Sequence, residues 1–163
     1  MRKIAILIFC ILPFLFLTCK GTKRTAQSPS KTIKKKAGVQ FVESVKFFDL
    51  LDQAEAEDRL VFVDIYTDWC LPCKLMDEEV FSNQDISKFM NSNFINFKVD
   101  AEKGSGPNIA SLYAVDQYPT LIFMDGKGRV LERKSGAAFH TELKEMANRA
   151  MRKASTVSSM RAE

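Results

Sequence analysis

Leu60-Val61-Phe62-Val63-Asp64-Ile65-Tyr66, followed two residues later by Trp69-Cys70-Leu71-Pro72-Cys73-Lys74, decides the fold. The first stretch is an unbroken apolar, β-branched run, the mark of a strand buried on both faces. The second opens a segment through about Val80 that reads as helix. Two thiols at this spacing can face one another and close a small disulfide ring. The first sits where the unpaired N–H groups and the dipole of the helix start favour a thiolate. A cysteine pair so placed points to electron exchange rather than to a fixed staple. The blander readings are a static disulfide and half of a zinc site. Zinc would need two more ligands, whereas Cys19 lies far off on a linker and His140 is the single histidine.

The chain has 163 residues and a formal net charge of +4. That charge is unevenly spread. Nine of the 24 Lys and Arg fall in residues 1–42, which hold no acid, so the remaining 15 bases face all 20 acids, a net of −5. The body is mildly acidic, which argues against nucleic acid as its partner. Arg2 and Lys3 precede an apolar run, Ile4 to Leu17, that is short for a span and broken by Pro13. This is the pattern of an export signal. Phe16-Leu17-Thr18-Cys19 resembles a bacterial lipoprotein signal, in which Cys19 would become the lipidated first residue; Phe16 and Thr18 depart from the usual residues there. A plain signal cut before Gln27 is the rival. Cys10 lies inside the apolar run and would be removed with it. The expected organisation is a signal at 1–18, a basic linker at 19–38, a folded domain at 39–154 and a tail at 155–163. Export implies an oxidising compartment, periplasm or cell envelope, with the chain held at the membrane by its lipid.

Within the domain, Phe41, Val45, Phe48, Leu51 and Ala54 recur at helical spacing, which predicts a first helix from Phe41 to about Arg59. Ile86 to Met90 reads as a further turn or two, Phe94 to Asp100 as a strand, Asn108 to Tyr113 as a short helix and Thr120 to Met124 as a strand. Asp125-Gly126-Lys127-Gly128 turns that strand into a hairpin with Arg129 to Arg133. Phe139 to Lys153 closes as a helix with Leu143, Met146, Ala147 and Ala150 inward, and His140 caps or precedes it. The order gives an α/β fold: a central mixed β-sheet flanked by helices on both faces, its early strands parallel and its last hairpin antiparallel.

The residues now assembled resemble the thioredoxin fold. Val63-Asp64, Trp69-Cys70-Leu71-Pro72-Cys73-Lys74 and Tyr118-Pro119-Thr120 carry the resemblance, over Phe41 to about Lys153. Asp68-Trp69-Cys70, Glu78 to Ser82 and the long loop after Asp100 are similar to exported relatives such as the C-terminal domain of the bacterial transmembrane thiol:disulfide interchange reductases. The resemblance implies that Cys70 is the nucleophile, at an exposed helix start, and that Cys73 resolves the mixed disulfide. It implies that Asp64 is the general base for Cys73, with Lys98 as a candidate partner. Leu71 and Pro72 would tune the potential. Trp69, Tyr118 and a cis Pro119 would meet the substrate chain.

The expected activity is protein-disulfide reduction or exchange in exported envelope proteins, with no bound metal or organic cofactor. Reducing equivalents must come from a protein donor, such as a transmembrane thiol reductase, since the chain has no flavin or nucleotide motif. The alternative is a non-enzymatic thioredoxin-fold chaperone or a copper carrier using Cys70 and Cys73 as soft ligands.

Overall fold

The computed structural model describes residues 38–42 and 46–160. The expected signal, Cys10, the lipidation candidate Cys19 and the rival cleavage point at Gln27 lie outside these residues. In chain order the elements are β1 (Phe41–Val42), α1 (Phe47–Ala56), β2 (Leu60–Tyr66) and α2 (Leu71–Leu75), which continues as a π-helical segment (Met76–Phe81). Then come α3 (Gln84–Asn93), β3 (Phe94–Asp100), α4 (Gly106–Leu112), β4 (Thr120–Met124), β5 (Val130–Ser135) and α5 (His140–Ser159). The strands form one sheet in the order β1-β3-β2-β4-β5. β1, β3 and β2 are parallel, and β4 and β5 are antiparallel to their neighbours.

Strand alternation sorts the side chains into two cores. Val61, Val63 and Ile65 of β2, with Ile95, Phe97 and Val99 of β3, pack against Phe47, Leu50 and Ala54 of α1 and Ile109 of α4. Phe62, Phe94, Leu121 and Phe123 fill the opposite face with Met76, Val80, Ile86, Met90 and Leu143. Asp64 shares the parity of Phe62, and Lys98 that of Phe94. Both therefore project toward the side of the sheet covered by the redox-motif helix.

The chain departs from the sequence expectation in three places. Residues 41–42 are a strand, not the start of the first helix; α1 begins only at Phe47, behind an extended Lys46. Helical periodicity at Phe41 is outweighed by sheet pairing and by a side chain, and Val45 lies outside the described residues. Asn91 accepts from the Gln40 N–H at 2.8 Å and donates to the Gly38 carbonyl at 3.1 Å, acting as a local strand partner. α5 runs to Ser159, well into the stretch read as a tail. Ala154 still packs on the core, and the Ser155 and Thr156 hydroxyls donate back to the Arg152 carbonyl at 2.8 and 3.0 Å. α3 extends to Asn93, started by the Asn83 side chain, which accepts from the Asp85 and Ile86 N–H groups.

Candidate redox site

β2 is buried along its middle, so its end delivers Thr67-Asp68-Trp69-Cys70 to one edge of the sheet. Cys70 is the N-cap of α2 and Pro72 lies in the first turn, where no intrahelical N–H is lost. Cys70 and Cys73 are joined by a disulfide, with S–S 2.08 Å and Cα atoms 5.3 Å apart. The Cys73 N–H donates to Cys70 Sγ at 3.2 Å. That donor, with the helix N-terminus behind it, is the local source of thiolate stabilisation once the bond is reduced.

Cys70 is not the exposed residue that the sequence suggested. It is 3% exposed, whereas its neighbours Trp69 and Leu71 are 65% and 66% exposed. Bonding to the buried Cys73 and acceptance of its N–H draw Cys70 inward and leave an apolar rim above the pair. Trp69 meets Tyr118 edge-on, ring centroids 5.8 Å apart. Such a pair is worth about 0.5–1.5 kcal/mol beyond its area. The Tyr118–Pro119 peptide bond is cis, and Pro119 is buried.

β2, β3 and the π-helical segment carry a three-part ion array. Asp64, 1% exposed, stands opposite Lys98 in the β2–β3 register. Lys98 Nζ donates to Asp64 Oδ2 at 2.7 Å and to Asp77 Oδ1, on the π-helical segment, at 2.6 Å. Its ammonium also lies 4.5 Å from the centroid of the Tyr66 ring. Burial pushes the Asp64 carboxyl above the usual carboxylate range, although Lys98 pulls the other way. Burial opposes charge on Lys98, but the Asp64 and Asp77 carboxylates outweigh it and lift the ammonium above its usual range. Asp64 Oδ1 is buried without a hydrogen-bond partner among the described residues. The array thus runs from an enclosed acid to Asp77, whose side chain is 45% exposed.

Sequence reasoning missed two contributors. Asp77 lies four residues beyond Cys73, one helical turn on, and that spacing was the available signal. Glu102 accepts from Trp69 Nε1 at 3.0 Å. Beside it Lys103 pairs with Asp68, and with Asp100 at 2.9 Å. Lys103–Asp100 is an i,i+3 pair, but nothing local in the sequence announces Glu102 on Trp69 or Lys103 on Asp68, which join residues more than thirty positions apart. His140, read as capping or preceding the last helix, is the first residue of α5 behind an N-cap at Phe139. Its Nε2–H donates to the Glu79 carbonyl at 3.0 Å, tying α5 to the π-helical segment.

The family model described as Thioredox_DsbH, protein of unknown function DUF255, matches residues 23–128. The chain belongs to this DsbH-type thioredoxin-like family. A solution structure of a candidate disulphide-isomerase from Bacteroides thetaiotaomicron is 36% identical, covering 72% of this chain and 93% of that one at a TM-score of 0.59. A thioredoxin from Thermus thermophilus, 21% identical, covers 74% of this chain and 93% of its own at a TM-score of 0.63, and shares the fold. Among curated proteins, the thiol:disulfide interchange protein DsbD of Pseudomonas fluorescens is 28% identical over 115 residues, 69% of this chain. The match takes in only 18% of that relative, so the chain spans less than a fifth of its length. The DsbH-type chain therefore has the thioredoxin fold, and its Cys70–Cys73 pair is the C-x-x-C of that fold.

Proposed function

We propose that the chain is a thiol–disulfide oxidoreductase that reduces or exchanges disulfides in exported proteins. The observation that carries this reading is the Cys70–Cys73 disulfide at the start of α2, with Cys73 N–H on Cys70 Sγ. In the reducing direction the Cys70 thiolate attacks one sulfur of a client disulfide, and the other client sulfur leaves as a thiolate. Cys73, losing its proton to Asp64, then attacks Cys70 Sγ. The second client sulfur leaves, and the chain is left with its own disulfide. Two electrons have passed to the client, and a dithiol donor must return them. Trp69, Tyr118 and the backbone beside Pro119 receive the client as an extended strand. Leu71 and Pro72, between the cysteines, set the potential.

Similarity to DsbD supports an envelope setting, with a membrane thiol reductase as the donor. The proposed organisation is a signal at 1–18, a linker at 19–38 and a domain from residue 39, with Cys19 lipidated. Mass analysis of the mature N-terminus tests this; an unmodified start at Gln27 would end the lipidation proposal. Activity is tested by insulin reduction with a dithiol donor. Cys70→Ser is expected to abolish turnover, and Cys73→Ser to trap client proteins as mixed disulfides. Copper binding without turnover in the wild type would overturn the reading in favour of a carrier.

A further inference from the structure

Arg133 lies on the outer strand β5 and makes no ion pair among the described residues. Its guanidinium donates instead to two backbone carbonyls, of Tyr113 and, at 2.9 Å, of Ala114. Tyr113 is the C-cap of α4, and Ala114 follows with φ +46°, a left-handed conformation unusual for a residue with a side chain. Carbonyls at a helix end lack intrahelical donors and carry the negative end of the dipole. A planar guanidinium can hold two at once, which a lysine ammonium does less well.

The strained turn at Ala114 opens the loop that ends in Tyr118 and Pro119. β5 grips that loop at both ends. Arg133 holds its start, and the Gly136 N–H, directly after β5, donates to the Pro119 carbonyl at 2.7 Å. A third fastening comes from the Tyr113 hydroxyl, which donates to the Gly128 carbonyl of the β4–β5 turn at 3.3 Å. The loop has few such ties of its own: Ala114 N–H to the Ser111 carbonyl at 3.1 Å, Val115 N–H to the Ala110 carbonyl at 2.8 Å, and the Thr120 hydroxyl to the Gln117 carbonyl at 2.7 Å. Val115 and Tyr118 also pack against the core on the α1 side of the sheet, and the attachments to β5 add polar fastenings at both ends of the loop that carries Tyr118 to Trp69.

We propose that Arg133 is a positioning residue for client recognition: by fastening the end of α4 to β5 it fixes where Tyr118 stands, and so sets the affinity for an extended, disulfide-bearing polypeptide that it does not touch. This rests on the oxidoreductase reading above. Misplacing a binding group at a distance from the chemistry weakens productive docking without altering the reacting atoms.

Trp69 is the single tryptophan and packs on Tyr118, so its fluorescence reads the loop directly. The test compares full-length wild type with Arg133→Ala and Arg133→Lys, each first checked for native circular dichroism. In Arg133→Ala, Trp69 emission and its quenching by iodide are expected to change. KM for a peptide disulfide should rise several-fold with kcat unchanged. Reduction of Cys70–Cys73 by dithiothreitol, which needs no client loop, should keep its wild-type rate. Arg133→Lys should recover part of the loss. Wild-type KM and Trp69 emission in Arg133→Ala would overturn the proposal. So would an equal slowing of the client and dithiothreitol reactions, which marks general loosening. If wild type itself leaves the peptide disulfide intact, the oxidoreductase reading fails, and Trp69 emission alone decides whether Arg133 holds the loop.

Discussion

A carboxyl enclosed to 1% exposure beside a lysine is a proton store as much as an ion pair. Asp64 has one oxygen on Lys98 and the other unpartnered among the described residues, with its pKa raised by burial. The sign follows directly. A carboxyl whose folded pKa exceeds its unfolded value of about 3.9 binds more protons folded than unfolded across that window. Stability contributed by Asp64 therefore falls as pH rises from the unfolded pKa through the raised folded one. Asp64→Asn removes this titration. Denaturant unfolding across pH 4 to 8 is expected to show the variant gaining on wild type as pH rises; parallel curves would contradict the raised pKa. For activity, the base role proposed for Asp64 requires it to be deprotonated before it takes the Cys73 proton. In wild type the resolving step should accelerate as pH passes through the Asp64 pKa. In Asp64→Asn the mixed disulfide should persist, measured by acid quench and alkylation. General acid–base assistance of this kind contributes about 10²–10⁴-fold, which bounds the expected loss.

At the scale of elements, the site depends on three joints. The first is the run from β2 into α2, which sets Cys70 as a helix cap. The second is the π-helical segment, whose wider turn carries Asp77 to Lys98. The third is the approach of α4 to the end of β3. Gly106, the first residue of α4, lies so close to β3 that a Cβ there would stand 1.7 Å from the Asp100 carbonyl oxygen. Backbone cannot yield as a flexible side chain does. Gly106→Ala is expected to destabilise the fold by about 1–3 kcal/mol or more, read from the urea midpoint. The same variant should perturb Trp69 emission, because the loop being displaced carries Glu102. A variant as stable as wild type would show that α4 can shift without cost.

For the molecule as a whole, the described cores are built from residue 39 onward, with Val39 and Phe41 the first to pack. A chain lacking residues 1–34 is therefore expected to unfold cooperatively. Its stability should match full length within the ~10–15% uncertainty of denaturant extrapolation. A large loss would place part of the core in the N-terminal segment and move the proposed domain boundary. Because β1 runs parallel to β3 and β2, the chain enters at Gly38 from the pole where these strands begin. Cys70 lies beyond the end of β2, at the opposite pole.

What the sequence by itself determined follows from local and periodic signals. The apolar run of β2 specified a buried strand, and the cysteine spacing specified a pair at a helix start. The order of helices, strands and hairpin specified a mixed sheet covered on both faces. Asp64 was conspicuous because a carboxylate interrupts an apolar run. Only the tertiary structure decided the partners, since side-chain contacts between distant segments leave no period to read. Asp77 on Lys98, Glu102 on Trp69 and Arg133 on the carbonyls just past α4 each join residues brought together by packing. Phe41 shows the same limit from the other side. Its spacing fits a helix, and sheet pairing with Asn96, supported by Asn91, makes it a strand because satisfied backbone groups outweigh a weak periodic preference. The burial of Cys70 was likewise invisible, because which face of a helix cap meets water is set by what packs around it.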